Sequence, residues 1–407
     1  MRIALLTQRF PPACCGVGDY TAQLARALNE TGAAPIVFTG TSPVVEPPGV
    51  RVVSVALGGW RDLRTLLGRL EEEHVDAVQI EYSGYSWGRW GFAFWVNALV
   101  VLLRWRGVPV TVALHEFQLR LAQHPLQAPI IALQLVHILL LAATASHVVT
   151  NTEPRVRMLQ RILFWRRGRI RYRPNSSTIP VVVLKPGHRE ALREKRGAGA
   201  QDVVVASFGM FAAGKDYESL IRAVAKAARR VPLKLWLLGN WQAARPEYIE
   251  HLRTLVRELG MEADVFWSGL LSSEEVSGHL HASDIFVLPQ PDGHLTRSSA
   301  FMAAAAHGLP VIAVRNPSHQ SEFVHGKHAW LLPPRDLSAL ASALQELAQK
   351  KDLRERLGRN LLALYQAAFD WKNVVKAGAM PAVDAGRASV PLPRDKQMER
   401  TLPNHTP

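Results

Sequence analysis

The chain has only two cysteines among its 407 residues, Cys14 and Cys15, and they are adjacent. Neighbouring residues rarely form a disulfide, so the disulfide framework of a small secreted domain is excluded. The apolar stretch behind Met1 stops at Gln8 and Arg9, which predicts that no signal peptide opens the chain. We therefore expect a reduced, cytoplasmic setting.

A long uninterrupted apolar run is also missing. Residues 92–103 form an apolar stretch that contains Asn97, and the longer stretch 129–145 contains Gln134 and His137. A membrane-spanning helix needs about 20 predominantly apolar residues. We therefore interpret both stretches as core or interfacial helices, with a membrane span as the less favoured alternative.

Acidic residues are scarce: 34 face 48 lysines and arginines, for a formal net charge of +14. This excess indicates an anionic partner: a nucleotide, a nucleic acid or an acidic membrane surface. Basic and aromatic residues crowd one stretch: Arg155, Arg157, Arg161, Phe164, Trp165, Arg166, Arg167, Arg169, Arg171, Tyr172 and Arg173. The stretch predicts either a solvated helix face followed by a basic hairpin or a surface that binds an anionic membrane.

Strand-like and helix-like segments alternate in both halves of the chain. This alternation predicts an α/β fold with a parallel, doubly wound sheet in each half, and the length fits two domains that face each other across a cleft. We assign residues 1–186 to the first domain, 187–201 to a polar linker and 202–365 to the second domain. The tail, residues 385–407, is predicted to be poorly ordered.

The stretch "FPPACCGVGDYTAQLARALNETG" places Gly16 and Gly18 between a strand-like and a helix-like segment. A tight turn that leads into a helix N-terminus suits any anion, because free N–H groups and the helix dipole face the ligand. A dinucleotide fingerprint would need a glycine at Thr21 and an acidic residue where the second strand ends, at Thr39 and Gly40. NAD binding is therefore disfavoured, and a glycine turn without a ligand stays the alternative.

A second loop between a strand and a helix, "SFGMFAAGKDY", contains Gly209, Gly214 and Lys215. Lys215 can meet a phosphate as a point charge, assisted by the dipole of the following helix. An ordinary surface lysine is the alternative.

A third loop, "LPQPDGHLTRSSAF", contains Asp292, Gly293, Arg297, Ser298 and Ser299. Either serine can cap the helix that follows. The start of that helix would then present N–H groups and a guanidinium to a diphosphate.

Five segments in chain order resemble the glycosyltransferases of the GT-B fold, similar to the large family 4 of retaining enzymes. They are the glycine loop at 15–18 and the stretches "FGMFAAGK", "LLGNW", "HASDIFVLP" and "AHGLPVIAV". The resemblance covers most of residues 1–375 and implies two Rossmann-like domains. The segment "FDWKNVV" is similar to the closing segment of that family, which implies that residues 366–384 form a helix returning to the first domain.

The resemblance implies a hexosyltransferase that moves a sugar from a nucleoside-diphosphate sugar to a hydroxyl of a glycan or lipid-linked glycan, with retention. It implies a role in cell-envelope or exopolysaccharide synthesis. We expect a cytoplasmic location, with a peripheral location at the inner face of the membrane as the alternative, and an anionic membrane surface as a candidate partner of the stretch 155–173. The nucleotide sugar is a co-substrate, so no resident cofactor is expected. We find no DxD pair at a strand end and expect no metal site.

The resemblance also implies roles for single residues. Lys215 matches a lysine that neutralises the leaving diphosphate, and His115 matches a histidine near the reacting carbon. A lone histidine is more often structural, but its place at a strand end favours the cleft. Glu116 is expected on the acceptor side, with helix capping as the alternative. The expected donor-binding residues are Gly16, Gly18, Gly214, Gly239, Asp292, Gly293, Arg297, Ser298 and Ser299.

Three positions depart from the family pattern. Met210 stands where an arginine is usual, and Leu295 and Ala303 stand where the family carries two glutamates. These departures favour a first alternative, a non-catalytic relic that still binds nucleotide sugars. The positive charge suggests a second, a nucleic-acid-binding protein, which would need basic and aromatic residues interleaved on one sheet face. We expect no nucleic-acid partner.

Overall fold

The computed structural model describes residues 1–42, 46–117, 127–316 and 322–377. The predicted tail, 385–407, and the end of the predicted closing segment lie outside the described residues. Strands and helices alternate along the chain and build two parallel sheets flanked by helices. The predicted α/β fold with two doubly wound sheets is confirmed.

The first sheet has seven parallel strands in the order β3-β2-β1-β4-β5-β6-β7. Its strands are β1 (Arg2–Thr7), β2 (Ala34–Thr39), β3 (Arg51–Ser54), β4 (Ala77–Ser83), β5 (Val110–Glu116), β6 (His147–Thr150) and β7 (Ile170–Tyr172). The accompanying helices are α1 (Gly16–Glu30), α2 (Leu63–Glu72), α3 (Gly84–Trp87), α4 (Phe94–Trp105), α5 (Ala128–Thr144) and α6 (Glu153–Ile162). Strands such as β1 are apolar runs because helices cover both faces of a parallel sheet.

The second sheet has six parallel strands in the order β10-β9-β8-β11-β12-β13. Its strands are β8 (Val203–Phe208), β9 (Leu233–Leu238), β10 (Val265–Trp267), β11 (Ile285–Leu288), β12 (Val311–Val314) and β13 (Trp330–Leu332). The accompanying helices are α7 (His188–Lys195), α8 (Tyr217–Ala228), α9 (Pro246–Glu258), α10 (Ser273–Ala282), α11 (Ser299–Ala306), α12 (Leu337–Gln349) and α13 (Lys351–Leu364). A last helix, α14 (Trp371–Ala377), follows them in the chain.

The strand order of each sheet reverses beside its first strand, between β1 and β4 and between β8 and β11. In an open α/β sheet, ligands bind outside the carboxyl ends of the strands at this reversal. The fold therefore offers one crevice in each domain for the loops that carry the predicted site residues.

The residues assigned to a polar linker, 187–201, contain helix α7. Arg193 is buried and donates to Asp284 Oδ2 at 2.8 Å, while Arg189 donates to Asp284 Oδ1 at 2.6 Å. These two arginines, whose charges suggested a polar linker, therefore form ion pairs with an acid of the second domain. Helix α7 is therefore packed as part of that domain.

The predicted basic hairpin within residues 155–173 is wrong. Helix α6 is followed by a 3₁₀ turn, Phe164–Arg169, and then by β7, which pairs in parallel with β6. Ile170 is buried, so this short segment extends the first sheet by one strand instead of folding back on itself. No helix in the described ranges is long and apolar enough to cross a bilayer.

The last described helix, α14, lies against the first domain. The Trp371 ring contacts Tyr20 at 5.0 Å between centroids, and its Nε1 donates to Ser177 O at 2.7 Å. Trp371 and Val375 pack against the apolar cluster of α1 and β1. Helix α14 therefore packs against the first domain, next to the helix that follows the glycine loop.

Candidate active site

Loops at the carboxyl edges of the two sheets contact each other directly. The loop behind β11 contains a 3₁₀ turn, Leu295–Arg297, that rests on the first domain. Thr296 Oγ1 donates to Asn151 O at 3.0 Å, and Asn175 Nδ2 donates to Arg297 O at 2.7 Å. The carboxyl edges of the two sheets therefore face each other at this point, and the predicted site residues lie around it.

Lys215 lies beside the carboxyl end of β8. A Cβ placed on Gly209 would be 3.0 Å from Lys215 Nζ, and Gly209 has φ of +139°. Burial and the nearby Arg297 lower the pKa of Lys215, whereas the charges of Asp292 and Glu116 act in the opposite direction. Water and salt screen charges that lie more than about 10 Å apart, so these groups from both domains share one charged neighbourhood.

Arg155 belongs to the same neighbourhood, although the sequence analysis placed it in a surface stretch. Burial and the charge of Arg297 lower the pKa of Arg155 to about 10. Its Nη1 donates to His115 O and to Asn151 Oδ1 at 3.2 Å each, and its guanidinium lies 4.9 Å from the Phe117 ring centroid. The available signal was its position in the first turn of α6, directly behind the carboxyl end of β6.

The third loop organises itself around Asp292. Asp292 Oδ2 accepts from Arg297 Nη2 at 2.5 Å, and Oδ1 accepts from Gln290 Nε2 at 2.8 Å. Gly293 has φ of +59°, and a Cβ there would be 2.8 Å from Val314 O. Asp292 and Gly293 therefore shape the loop, and both Asp292 and Arg297 share a charged neighbourhood with Lys215.

The start of α11 follows that loop. Ser298 is the N-cap residue, because its Oγ accepts from Phe301 N at 3.2 Å, and Ser299 is the first helical residue. A helix start leaves several N–H groups without an intrahelical partner, and the Ser298 side chain satisfies one of them. This helix start follows Arg297 directly in the chain.

The predicted donor glycines fall into two classes. A Cβ on Gly18 would be 2.4 Å from Arg9 O, and one on Gly239 would be 2.2 Å from Gly209 O, so backbone packing requires both glycines. A Cβ on Gly16 or Gly214 would meet nothing within 4 Å. Open space therefore adjoins the first residue of α1 and the residue before Lys215.

Asp19 is an acid of the glycine loop that the sequence analysis missed. It lies in the first turn of α1, where no side chain caps the helix. Burial raises the pKa of Asp19 to about 6. A carboxyl group with a raised pKa is a candidate functional group at this edge of the first sheet.

His115 lies at the predicted strand end, but its side chain is buried inside the first domain. Its Nε2 is 2.5 Å from Oε2 of Glu81, which is fully buried, and its ring contacts Tyr20 edge-on. Burial raises the pKa of Glu81, but the hydrogen bond and charge of His115 together with Arg173 hold it below its usual value. The part of His115 that meets Arg155 is its carbonyl oxygen.

Arg173 is also internal, unlike its neighbours in the sequence. It is buried, donates to Gln79 Oε1 at 3.2 Å and lies 3.9 Å from Glu81 Oε1. Gln79 and Glu81 alternate on the wholly buried strand β4. Two polar residues inside an otherwise apolar strand were the signal for this network, and sequence reasoning did not use it.

The remaining predicted positions divide between cleft and core. Glu116 is exposed at the end of β5, and its charge reaches both Lys215 and Arg155. Leu295 and Ala303 are buried in the core of the second domain, whereas Met210 is exposed. Within the part of the chain that the structure describes, no three His, Cys, Asp or Glu side chains are grouped to hold a metal ion.

Two family models match successive parts of the chain. The model "Glycosyl transferase 4-like domain" matches residues 15–176, and "Glycosyl transferases group 1" matches residues 188–361. The D-inositol 3-phosphate glycosyltransferase of Nocardia farcinica is 26% identical over 98% of this chain and 96% of its own length. The GDP-mannose-dependent alpha-(1-6)-phosphatidylinositol monomannoside mannosyltransferase of Mycolicibacterium smegmatis is 25% identical over 50% of this chain and 52% of its own length.

Solved structures share the whole two-domain fold. Sucrose-phosphate synthase from Thermosynechococcus elongatus superposes with a TM-score of 0.72 and 20% identity, covering 93% of this chain and 97% of that chain. Anabaena HepE in complex with UDP superposes with a TM-score of 0.73 and 17% identity, covering 93% of this chain and 98% of that chain. At these identities the likeness concerns the fold.

Proposed function

We propose that this chain, which belongs to the GT-B glycosyltransferases of family 4 type, transfers a sugar from a nucleoside-diphosphate sugar to a hydroxyl acceptor. Glycosyltransferase activity follows from the family. The observation that supports the donor class is that Arg297, in the turn where the loops of the two sheets contact each other, acts electrostatically on both Lys215 and Arg155.

The three cations suit a diphosphate because like charges repel one another. Asp292, which pairs with Arg297, and Glu116 act against this repulsion. Arg297 lowers the pKa of both Lys215 and Arg155, which is the electrostatic sign of this repulsion. A diphosphate relieves it and gains more as its negative charge grows during bond breaking. Fixed charges aimed at developing charge lower a barrier most effectively.

We assign a separate role to each part of the site. Lys215 and Arg297 hold the diphosphate together with the N–H groups at the start of α11, and Arg155 adds a contact from the first domain. Glu116 and Asp19, on the first-domain side, orient the acceptor hydroxyl. The proposal requires no metal ion, since side chains supply the positive charge.

The reaction proposed is transfer with retention. The bond between the anomeric carbon and the donor phosphate oxygen breaks, and the acceptor oxygen bonds to that carbon on the face that the phosphate leaves. The acceptor proton passes to the departing phosphate oxygen. No side chain needs to form a covalent intermediate, and His115 then acts through its position beneath Arg155.

We place the acceptor among glycans and lipid-linked glycans of the cell envelope. One relative is named for a phosphatidylinositol mannoside acceptor, which supports a lipid-linked acceptor for this chain. Two free, adjacent cysteines support a reducing compartment, the cytoplasm.

A relic that binds nucleotide sugars without transferring them is the second candidate. The buried, apolar Leu295 and Ala303 favour it, because no carboxylate at those positions can hold the sugar hydroxyls.

A donor panel separates the two candidates. The full chain is incubated with UDP-, GDP- and ADP-sugars, with and without a lipid-linked glycan extract, and release of nucleoside diphosphate is measured. We expect turnover of at least one donor, accelerated by the extract. Binding without any turnover, hydrolysis included, would identify the relic. The absence of both binding and turnover would reject both candidates.

A further inference from the structure

Helix α5 contains no charged residue, and it exposes an apolar face to water. Leu133, Val136 and Leu140 lie on one side of the helix and are 44%, 48% and 43% exposed. A helix on the surface of a globular domain normally shows charged or polar residues to water. The opposite side of α5, with Ile138 and Leu141, is buried in the first-domain core as expected.

Helix α4 lies beside α5 and also exposes apolar side chains. Asn97 Nδ2 donates to His137 O at 3.2 Å, and Arg104 Nη1 donates to Ser146 Oγ at 2.7 Å, so the two helices run side by side. At the end marked by Arg104, α4 exposes Val101 and Trp105. We call the exposed sides of α4 and α5 the α4–α5 face.

Exposed aromatic side chains lie at both ends of the α4–α5 face. Gln134 Nε2 donates to Trp90 O at 2.7 Å and to Tyr85 OH at 3.3 Å, which brings two exposed rings to one end of α5. At the other end, Arg166 donates to Ala145 O, and this contact anchors the turn that exposes Phe164 and Trp165. Tryptophan and tyrosine favour the headgroup depth of a bilayer.

Arginines gather beside the second of these ends. Arg169 Nη1 lies 3.4 Å from His147 Nε2, and the charges of Arg169, Arg171, Arg166 and Arg104 all act on that histidine. The apolar face is therefore bordered by a dense positive charge.

The second domain has no comparable surface among its described residues. Its exposed large apolar side chains are Met210, Leu270 and Val324, each on a different loop. Scattered exposed apolar residues are ordinary, whereas a contiguous patch marks an interaction surface.

We propose that the α4–α5 face, with the aromatic and arginine residues of 164–171 at its edge, binds the surface of an anionic bilayer, with α5 lying along the interface. An interfacial helix typically places apolar side chains in the membrane–water interface and arginines at headgroup depth. A second copy of this chain is a poorer occupant because it carries the same net charge of +14 and would repel the arginine cluster. The proposal does not depend on the donor or on catalysis.

Liposome sedimentation tests the proposal. Wild type should bind vesicles of phosphatidylcholine with about a quarter phosphatidylglycerol more tightly than neutral vesicles, and high salt should weaken the binding. The triple variant Arg167→Gln, Arg169→Gln, Arg171→Gln should reduce partitioning about 100-fold, since each arginine near an anionic surface contributes about fivefold. Arg166 is left in place because its contact with Ala145 O is structural.

Two further variants complete the design. Leu133→Gln, Val136→Gln, Leu140→Gln should reduce binding about tenfold or more by removing apolar contact. The matched control changes three exposed arginines of the second domain, Arg222, Arg229 and Arg230, to glutamine and should bind like wild type.

Hydrogen exchange on the wild type keeps the test independent of variant folding. Liposomes should protect the peptide that contains α5 and leave α9 unchanged. Equal binding to neutral and anionic vesicles, or no protection of α5, would overturn the proposal. A concentration-dependent dimer that the triple glutamine variant of α5 dissolves would overturn it in favour of a second copy.

Discussion

The helices that cover the two sheets differ in what they show to water. Helix α5 of the first domain has no charged residue, whereas α9 of the second carries acids and bases along its length, such as the pair Glu250 and Arg257 at 2.7 Å. Both helices cover parallel sheets that share the same order over six strands, and the first sheet has β7 in addition. The shared fold therefore determines where a crevice lies, and the helix surfaces and loops determine which partners each domain binds.

The crevice itself is also asymmetric. The second domain supplies Lys215, Arg297 and the start of α11, whereas the first supplies Arg155, Glu116 and the glycine loop. The proposed function assigns the donor diphosphate mainly to the second domain and the acceptor to the first. Each of the following changes strengthens or breaks that division.

The largest effect is expected for Lys215→Ala. Removing a fixed charge from the leaving diphosphate should lower kcat about 100-fold or more, equivalent to about 3 kcal/mol. Steady-state release of nucleoside diphosphate measures it. Lys226→Ala is the matched control, since Lys226 is exposed on α8 and bonds to Ser338. Wild-type turnover in Lys215→Ala would remove Lys215 from the chemistry.

A large effect on stability is expected for His137 in the first domain. It is fully buried between Tyr82 and Phe94, and burial lowers its pKa to about 4. The unfolded chain binds a proton near pH 6.5, so between that pH and about 4 the unfolded state holds more protons and stability falls as pH falls. Between pH 7 and pH 5, the free energy of unfolding of His137→Leu should fall by about 2 kcal/mol less than that of wild type.

Denaturant unfolding at several pH values measures this difference. His251→Leu is the control, because His251 is an exposed residue of α9. Equal pH dependence in His137→Leu and wild type would show that the α4–α5 pair does not hold a neutral histidine.

Arg155→Met asks whether the first domain touches the donor. Loss of one charged contact should lower kcat/KM about tenfold. Arg161→Met, an exposed arginine on the same helix, should change nothing. An unchanged kcat/KM in Arg155→Met would confine the diphosphate site to the second domain.

The smallest effect is expected for Ser298→Ala. Loss of the N-cap of α11 should cost about 1 kcal/mol of stability, whereas Ser299→Ala should cost little, because Ser299 has no capping bond. Thermal unfolding of both variants distinguishes them. Equal destabilisation would mean that the two serines share the cap.

Much of this fold could be predicted because parallel strands buried on both faces are short apolar runs, as in β8 and β11. The packing of α7 could not, since its arginines find Asp284 about 90 residues away along the chain. Lys215 and Arg297 were predicted from their places behind strands. The inward positions of Arg155 and Arg173 depend on tertiary contacts that a run of arginines does not reveal.

The pairing of His115 with Glu81 was equally hidden. It depends on the register of β4 and β5, which places Glu81 opposite Ala113 and then shifts at a bulge between Tyr82 and Ser83. A local sequence pattern cannot specify that register.

Titration of nucleoside diphosphates tests the central claim most directly. UDP, GDP and ADP are titrated calorimetrically into wild type, Lys215→Ala, Arg155→Met and the two controls, Lys226→Ala and Arg161→Met. The account predicts that at least one diphosphate binds wild type and both controls equally and binds Lys215→Ala and Arg155→Met more weakly. No binding to wild type, or equal binding to all five proteins, would contradict it.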